Sequence, residues 1–205
     1  MALFNLFGGG RKRHTIPIFP LGVVLYPGGL LPLRIFETRY MDMAKACLRQ
    51  SSPFGVCLIR EGQEVGAPAV PEDVGCIARI AECDMEELGI LKVKAQGGAR
   101  FRIVSREVAK SGLIVAQVEE IMEEARVTEA PGLAECSAFL RKAVTAIGAE
   151  RFAQPFDYED ATWVSLRLAE ILPLRIDAKQ KLLELTDATL RIAIIHKFMK
   201  QQGLI

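Results

Sequence analysis

FPLGVVLYPGGLLPLRIFETRY, residues Phe19 to Tyr40, threads three prolines and three glycines through bulky apolar side chains, then runs into Arg, Glu and aromatic residues. Proline has no N–H to give a ladder and is kept out of the middle of paired strands. Pro17, Pro20, Pro27 and Pro32 are therefore expected at edges, bulges or corners. Gly22, Gly28 and Gly29 supply the backbone angles that a corner needs. The stretch reads as a chain bending sharply between short strands of a closed or nearly closed barrel, an arrangement that also hides strand edges.

Outward from this stretch, short apolar runs punctuated by Gly and Pro continue from Thr15 to Glu120, the texture of strands. The expected strands are Thr15–Phe19, Val23–Tyr26, Leu30–Ile35, Phe54–Arg60, Ile77–Asp84, Ile90–Gln96, Arg100–Val108 and Leu113–Glu120. Leu91, Val93 and Ala95 alternate with Lys92 and Lys94, the period of a sheet with one wet face. Gly97-Gly98 predicts a hairpin turn, since both residues tolerate positive φ. One helix interrupts the strands: Phe36, Tyr40, Met43 and Cys47 keep helical spacing between Phe36 and Gln50. The Gly, Pro and acidic content between Arg60 and Gly75 predicts an exposed loop.

After Glu120 the composition shifts to Leu, Ala, Glu, Lys and Arg, residues that lose little on entering a helix. Helices are expected at Leu133–Gly148, Tyr158–Leu172, Ala178–Leu185 and Asp187–Gln201. Asp177 with Gln180 has capping-box spacing, and Leu190, Ile194 and Phe198 form one stripe of the last helix. The organisation predicted is a flexible N-terminal segment over 1–14, a β pseudo-barrel domain over 15–122 and a helical domain over 123–205.

The bulk properties are those of a globular protein, with 50% hydrophobic and 25% charged residues and a formal charge of +1. No summed field attracts nucleic acid or an anionic membrane, and Arg11, Lys12 and Arg13 read as a solvated charge run. The five cysteines never fall in C-x-x-C spacing, so reduced, mostly buried thiols and a cytoplasmic location are expected. The short apolar N-terminal piece precedes its basic cluster, the reverse of a signal peptide, and no apolar run reaches the ~20 residues of a membrane span.

Signatures of chemistry are missing. There is no phosphate-binding glycine loop and no G-x-S-x-G. The only histidines, His14 and His196, stand at opposite ends of the sequence and belong to no metal spacing. The carboxylate pairs Glu82 with Asp84 and Glu86 with Glu87 read as solvated edge charges. No catalytic residue, metal or cofactor is predicted.

IPIFPLGVVLYPGGLLPLRIFETRY, from Ile16 to Tyr40, closely resembles the opening of the N-terminal substrate-binding domain of the Lon protease family. The resemblance continues through FGVCLI at Phe54–Ile59, VGCIARI at Val74–Ile80, Gly98 to Phe101, and LPLRIDAKQKLLELTDATLRI at Leu172–Ile192. Thr38 stands where the family usually has proline, and threonine also begins helices. What the resemblance implies is an α+β fold: an N-terminal PUA-like β pseudo-barrel with one inserted helix, followed by a C-terminal helical bundle. It also implies a stand-alone, non-enzymatic protein, because the ATPase and Ser–Lys protease modules of the parent are not in this sequence.

Among the matched residues, Ile35, Phe36, Phe101 and Ile103 have the size and spacing of core. Arg34, Glu37 and Arg39 are read first as ion pairing between helix and barrel, with ligand contact as the alternative. Loops bearing Leu21, Tyr26, Pro27 and Leu30, with Tyr40 nearby, are expected to expose an apolar patch that grips unfolded or extended polypeptide or a protein partner. An adaptor or regulator of proteolysis would use such a patch. RNA is the alternative partner and would need a basic stripe from Arg79, Lys92, Lys94, Arg100 and Arg102; a small-molecule binder ranks third. The sequence does not set the oligomeric state.

Overall fold

Pro17 and Pro20 both fall inside the first strand, and the sheet accommodates them by changing partners along it. The computed structural model describes residues 13–87, 89–122 and 125–205. Among them the strands are β1 (Arg13–Leu21), β2 (Leu30–Ile35), β3 (Phe54–Glu61), β4 (Val70–Pro71), β5 (Val74–Glu87), β6 (Ile90–Val108) and β7 (Ile114–Glu120). β1 pairs antiparallel with β7 from Arg13 to Ile18, then parallel with β3 from Ile18 to Leu21. Each half of the strand thus has one open side, where a missing N–H breaks no ladder.

From β3 the pairings run to β5, β6 and β7 and return to β1. The ring is shallow, for β3 meets β5 only from Phe54 to Val56. This makes an α+β pseudo-barrel, not a true barrel; β2 hangs on β6 and β4 on β3. Arg13 and His14 belong to β1 rather than to a flexible segment, and residues 1–12 lie outside the described residues.

Gly97 and Gly98 make no hairpin: β6 runs straight through them. Their role is close approach. Gly97 donates to Gly29 O at 2.8 Å and accepts from Gly28 N at 2.9 Å, and a Cβ on Gly97 would stand 2.2 Å from Tyr26 O. The register slips here between Cys76 and Ala78, so the glycines host a bulge. Val23–Tyr26 is not a strand but a bend that drops Leu25 and Tyr26 into the interior. The predicted loop after Arg60 is exposed from Glu61 to Pro68; its later part forms β4 and the start of β5.

The helices are α1 (Thr38–Gln50), α2 (Leu133–Ile147), α3 (Ala161–Ile171), α4 (Ile176–Glu184) and α5 (Ala188–Gln201). Tyr40, Met43 and Cys47 of α1 pack on Phe19, Phe54 and Val93 of the sheet, with Phe19 stacked on Tyr40 at 4.1 Å. A second cluster gathers Ile18, Phe101 and Val118. The helical half closes around Leu140, Leu168 and Ile192, and that cluster takes in Tyr26 from the bend after β1 and Val74 from β5.

Three local expectations fail for identifiable reasons. Asp177 does not cap α4, whose N-cap is Arg175, and Gln180 instead sends its amide to Val74 O at 3.1 Å. On α5 the buried face is Ala188, Arg191, Ile192, Ile195 and Met199, which leaves Leu190 and Ile194 exposed. Phe36 precedes α1 and stands 55% exposed rather than in the core, while Ile103 is only half-buried.

The two halves meet through buried polar side chains that satisfy backbone carbonyls. Tyr26 donates to Lys179 O at 2.8 Å and Arg167 Nη2 to Pro27 O at 2.5 Å. Arg100 donates to Leu183 O at 3.0 Å and Leu185 O at 2.5 Å, the carbonyl end of α4. Within the helical half, Arg191 donates to the same Leu185 O at 2.8 Å and to Ser165 Oγ at 2.8 Å, bracing the carbonyls that Arg100 reaches from the sheet. Cations suit a helix C-terminus, and each fills carbonyls that would otherwise be buried unbonded.

Candidate functional site: two grooves along β2

β2 separates two surface grooves. The first, about 250 Å³, runs between Leu31–Ile35 and a wall that includes Phe19, Leu21, Tyr40 and Val65. The second, about 780 Å³, lies where the strands meet the helices, between Leu30–Pro32 and Ile171, Leu174 and Ile176. Val23, Leu31 and Pro32 border both, so the grooves share one apolar ridge. Val23 is exposed on this ridge, as are Phe36 and Val65 in the first groove and Ile176 in the second.

The expected site residues divide between this surface and the interior. Leu21, Arg34, Glu37 and Tyr40 come together in the first groove, and Leu30 lines the second. Leu21 and Tyr40 are buried, so they form floor rather than exposed patch. Tyr26 is fully buried and Pro27 half-buried; both serve the junction through the bonds to Lys179 and Arg167. Arg39 is also buried: its Nη2 lies 2.9 Å from Glu37 Oε2, its Nη1 donates to Gly112 O at 3.3 Å, and its guanidinium covers Tyr40. The Glu37–Arg39 pair is local to the start of α1 and is not the expected helix-to-barrel ion pair: Arg39 reaches the sheet side only through Gly112 O, in the turn between β6 and β7, and Arg34 takes no part. The residues that sequence alone does not mark are Val23, Leu31, Phe36, Val65 and Ile176, because apolar type by itself signals core.

Electrostatically, the second groove holds one unusual group. Glu170 keeps part of its side chain at the groove, and burial pushes its pKa up to about 7 against the opposing charges of Arg167 and Lys179. Arg167 Nη2 lies 3.1 Å from Glu170 Oε1. Lys179, depressed mainly by burial, donates to Glu170 O at 2.8 Å.

Elsewhere the side chains are occupied structurally. Burial raises the thiols of Cys57, Cys76 and Cys136, which disfavours thiolate chemistry. His14 pairs with Glu120 at 2.7 Å and His196 with Glu135, each joining two elements. Glu82 pairs with Lys94 at 3.0 Å and Asp84 is exposed; the side chains of Glu86 and Glu87 lie outside the described residues. Among the described residues no cluster of His, Cys, Asp and Glu suits a metal ion. The basic stripe is broken at Arg100, which is buried against α4, while Arg79, Lys92 and Arg102 are exposed and Arg79 donates to Ser51 O at 2.9 Å.

An α+β pseudo-barrel docked on a helical bundle, with an apolar double groove at the seam, defines the structural class. The family model for the ATP-dependent protease La (Lon) substrate-binding domain matches residues 15–201, and the chain belongs to this family. It is similar to a solved Lon N-terminal domain protein from Xanthomonas campestris, with 32% identity and a TM-score of 0.74 over 89% of this chain and 96% of that one. The N-terminal domain of the Mycobacterium avium complex Lon protease shares the fold at 18% identity, with a TM-score of 0.67 over 91% of this chain and 98% of that one. The Lon protease of Anaeromyxobacter dehalogenans (strain 2CP-C) is 24% identical over 196 residues, 92% of this chain and 23% of its own length. Cereblon from Xenopus tropicalis is 31% identical over 124 residues, 56% of this chain and 27% of its own. The chain therefore spans only 23–24% of the length of the Lon proteases it matches. The family is defined by a substrate-binding domain and not by the catalytic module, and this supports a substrate-recognition role.

Proposed function

We infer that this chain is a non-catalytic polypeptide-binding domain of the cytoplasm, an adaptor or regulator of proteolysis that takes unfolded or extended segments into the grooves beside β2. The observation that supports the reading is the shared ridge of Val23, Leu31 and Pro32, which makes two shallow grooves one continuous apolar surface. A folded protein that leaves Val23, Phe36, Val65 and Ile176 in water across two adjoining grooves keeps a contact surface that its own core has no use for. The sites proposed for contact are Leu30, Leu31, Arg34, Phe36, Glu37, Val23 and Val65, with Leu21 and Tyr40 as floor. A single shallow groove leaves affinity modest, because ordering the bound segment offsets much of the contact energy.

The test is titration of the purified chain with a reduced, unfolded polypeptide and with its folded form. Binding of the unfolded form in the micromolar range, weakened about tenfold or more by Val23→Asp or Phe36→Asp, is the expected result. Equal binding by those variants contradicts the assignment of the surface.

A further inference from the structure

Among the described residues β2 pairs only with β6. Gly97 N donates to Gly29 O, and the register continues with Leu31 opposite Ala95, Leu33 opposite Val93 and Ile35 opposite Leu91. Bonded and non-bonded pairs alternate along an antiparallel ladder. Leu31, Leu33 and Ile35 therefore turn their backbone groups to β6, and Leu30, Pro32 and Arg34 turn theirs away. Among the described residues no strand takes up that outward row. It consists of the N–H groups of Leu30 and Arg34 and the carbonyls of Leu30, Pro32 and Arg34. Pro32 sits where its missing N–H leaves the pairing with β6 intact, as edge prolines do.

The first groove independently marks the same edge. Leu31, Pro32, Leu33, Arg34 and Ile35 all line it. Successive side chains of a strand point to opposite faces, so a groove bordered by such a consecutive run follows the edge itself. Its charges are also unbalanced in one place. Of the ionisable groups lining it, Glu37 has Arg39 at 2.9 Å and Glu64 accepts from Gly22 N at 2.5 Å. Arg34, exposed on β2, has no ion-pair partner among the described residues.

We propose that the bound polypeptide adds to the free edge of β2 as a further strand, with apolar side chains in the first groove and a carboxylate beside Arg34. This rests on the chain being a polypeptide-binding domain and names how the segment is held. Backbone groups, common to every sequence, supply the hydrogen bonds, and the groove and Arg34 supply the preference for apolar segments flanked by an acid. Pro32 leaves a gap in the new ladder, which weakens capture and also hinders edge-to-edge pairing between copies.

The experiment measures binding of a nonapeptide of alternating valine and threonine with a terminal glutamate, and of its single N-methyl isomers. N-methylation of alternate residues is expected to weaken binding about tenfold, while the intervening positions stay within about twofold. Pro32→Ala restores a donor and tightens binding about threefold, and Arg34→Glu weakens it about fivefold. If the parent peptide binds and Val23→Asp abolishes it, yet all N-methyl isomers bind alike or Pro32→Ala weakens binding, strand addition is overturned and polypeptide recognition stands. Absence of binding by the parent peptide overturns both. Concentration-dependent dimerisation of the Pro32→Ala chain without a gain for peptide assigns the edge to a second copy and also overturns the proposal.

Discussion

The junction between strands and helices and the surface along β2 invert the usual distribution of side chains. At the junction Arg100, Arg167 and Arg191 are buried, together with Gln180 and Tyr26. Along β2 it is Val23, Phe36 and Val65 that meet solvent. The buried charges are tolerable because each donates to carbonyls, several of them at the end of α4, that no backbone partner fills. The exposed apolar groups have no comparable structural return. On the function proposed above, the difference sorts variants into those expected to cost stability and those expected to cost binding.

Arg100→Leu attacks the junction most directly. It leaves the carbonyls of Leu183 and Leu185 without this donor, and a loss of about 3 kcal/mol in chemical denaturation is expected. A loss no greater than that of an ordinary surface change would mean the junction is not held this way.

Glu170→Gln sharpens the contrast from the opposite direction. Burial raises the pKa of Glu170 to about 7 in the folded chain against 4.5 for an ordinary glutamate carboxyl, so between these values the folded state holds a proton that the unfolded state has released. Stability contributed by the protonated acid is complete below pH 4.5 and is lost as pH rises to about 7. The Gln variant should therefore be more stable than the parent by about 2 kcal/mol at pH 8 and nearly equal to it at pH 4, measured by denaturant titration at both.

Val23→Asp should leave stability within about 0.5 kcal/mol while removing polypeptide binding. Leu190→Glu on the exposed face of α5 should change neither stability beyond about 0.5 kcal/mol nor binding, as denaturation and titration of the same preparation can check.

Much of this arrangement is legible in the sequence, and the failures share a cause. The alternation in Leu91–Ala95 and the prolines of β1 and β2 specify strands and edges by local rules, and the structure follows them. Gly97-Gly98 obeys an equally good local rule for a hairpin, but the constraint that decides is the approach of Tyr26 from far along the chain. Gln180 illustrates the same limit: its spacing from Asp177 is right for a cap, yet Val74 O claims its amide. On α5, Leu190 and Ile194 lose the core to a face built around buried Arg191, a choice no apolar periodicity reveals. For the first groove, sequence names Leu21, Tyr40 and Arg34 but expects Leu21 to be exposed where it is buried, and it does not mark Phe36 and Val65, since only packing shows which apolar side chains are left over.

The most direct measurement is backbone amide NMR of the ¹⁵N-labelled chain during titration with an unfolded polypeptide. The account predicts shifts concentrated at Val23, at Leu31 and Leu33 to Phe36, and at Val65, with the amides of α5 unmoved. Shifts centred on Leu190 and Ile194, or spread evenly over the chain, would contradict it.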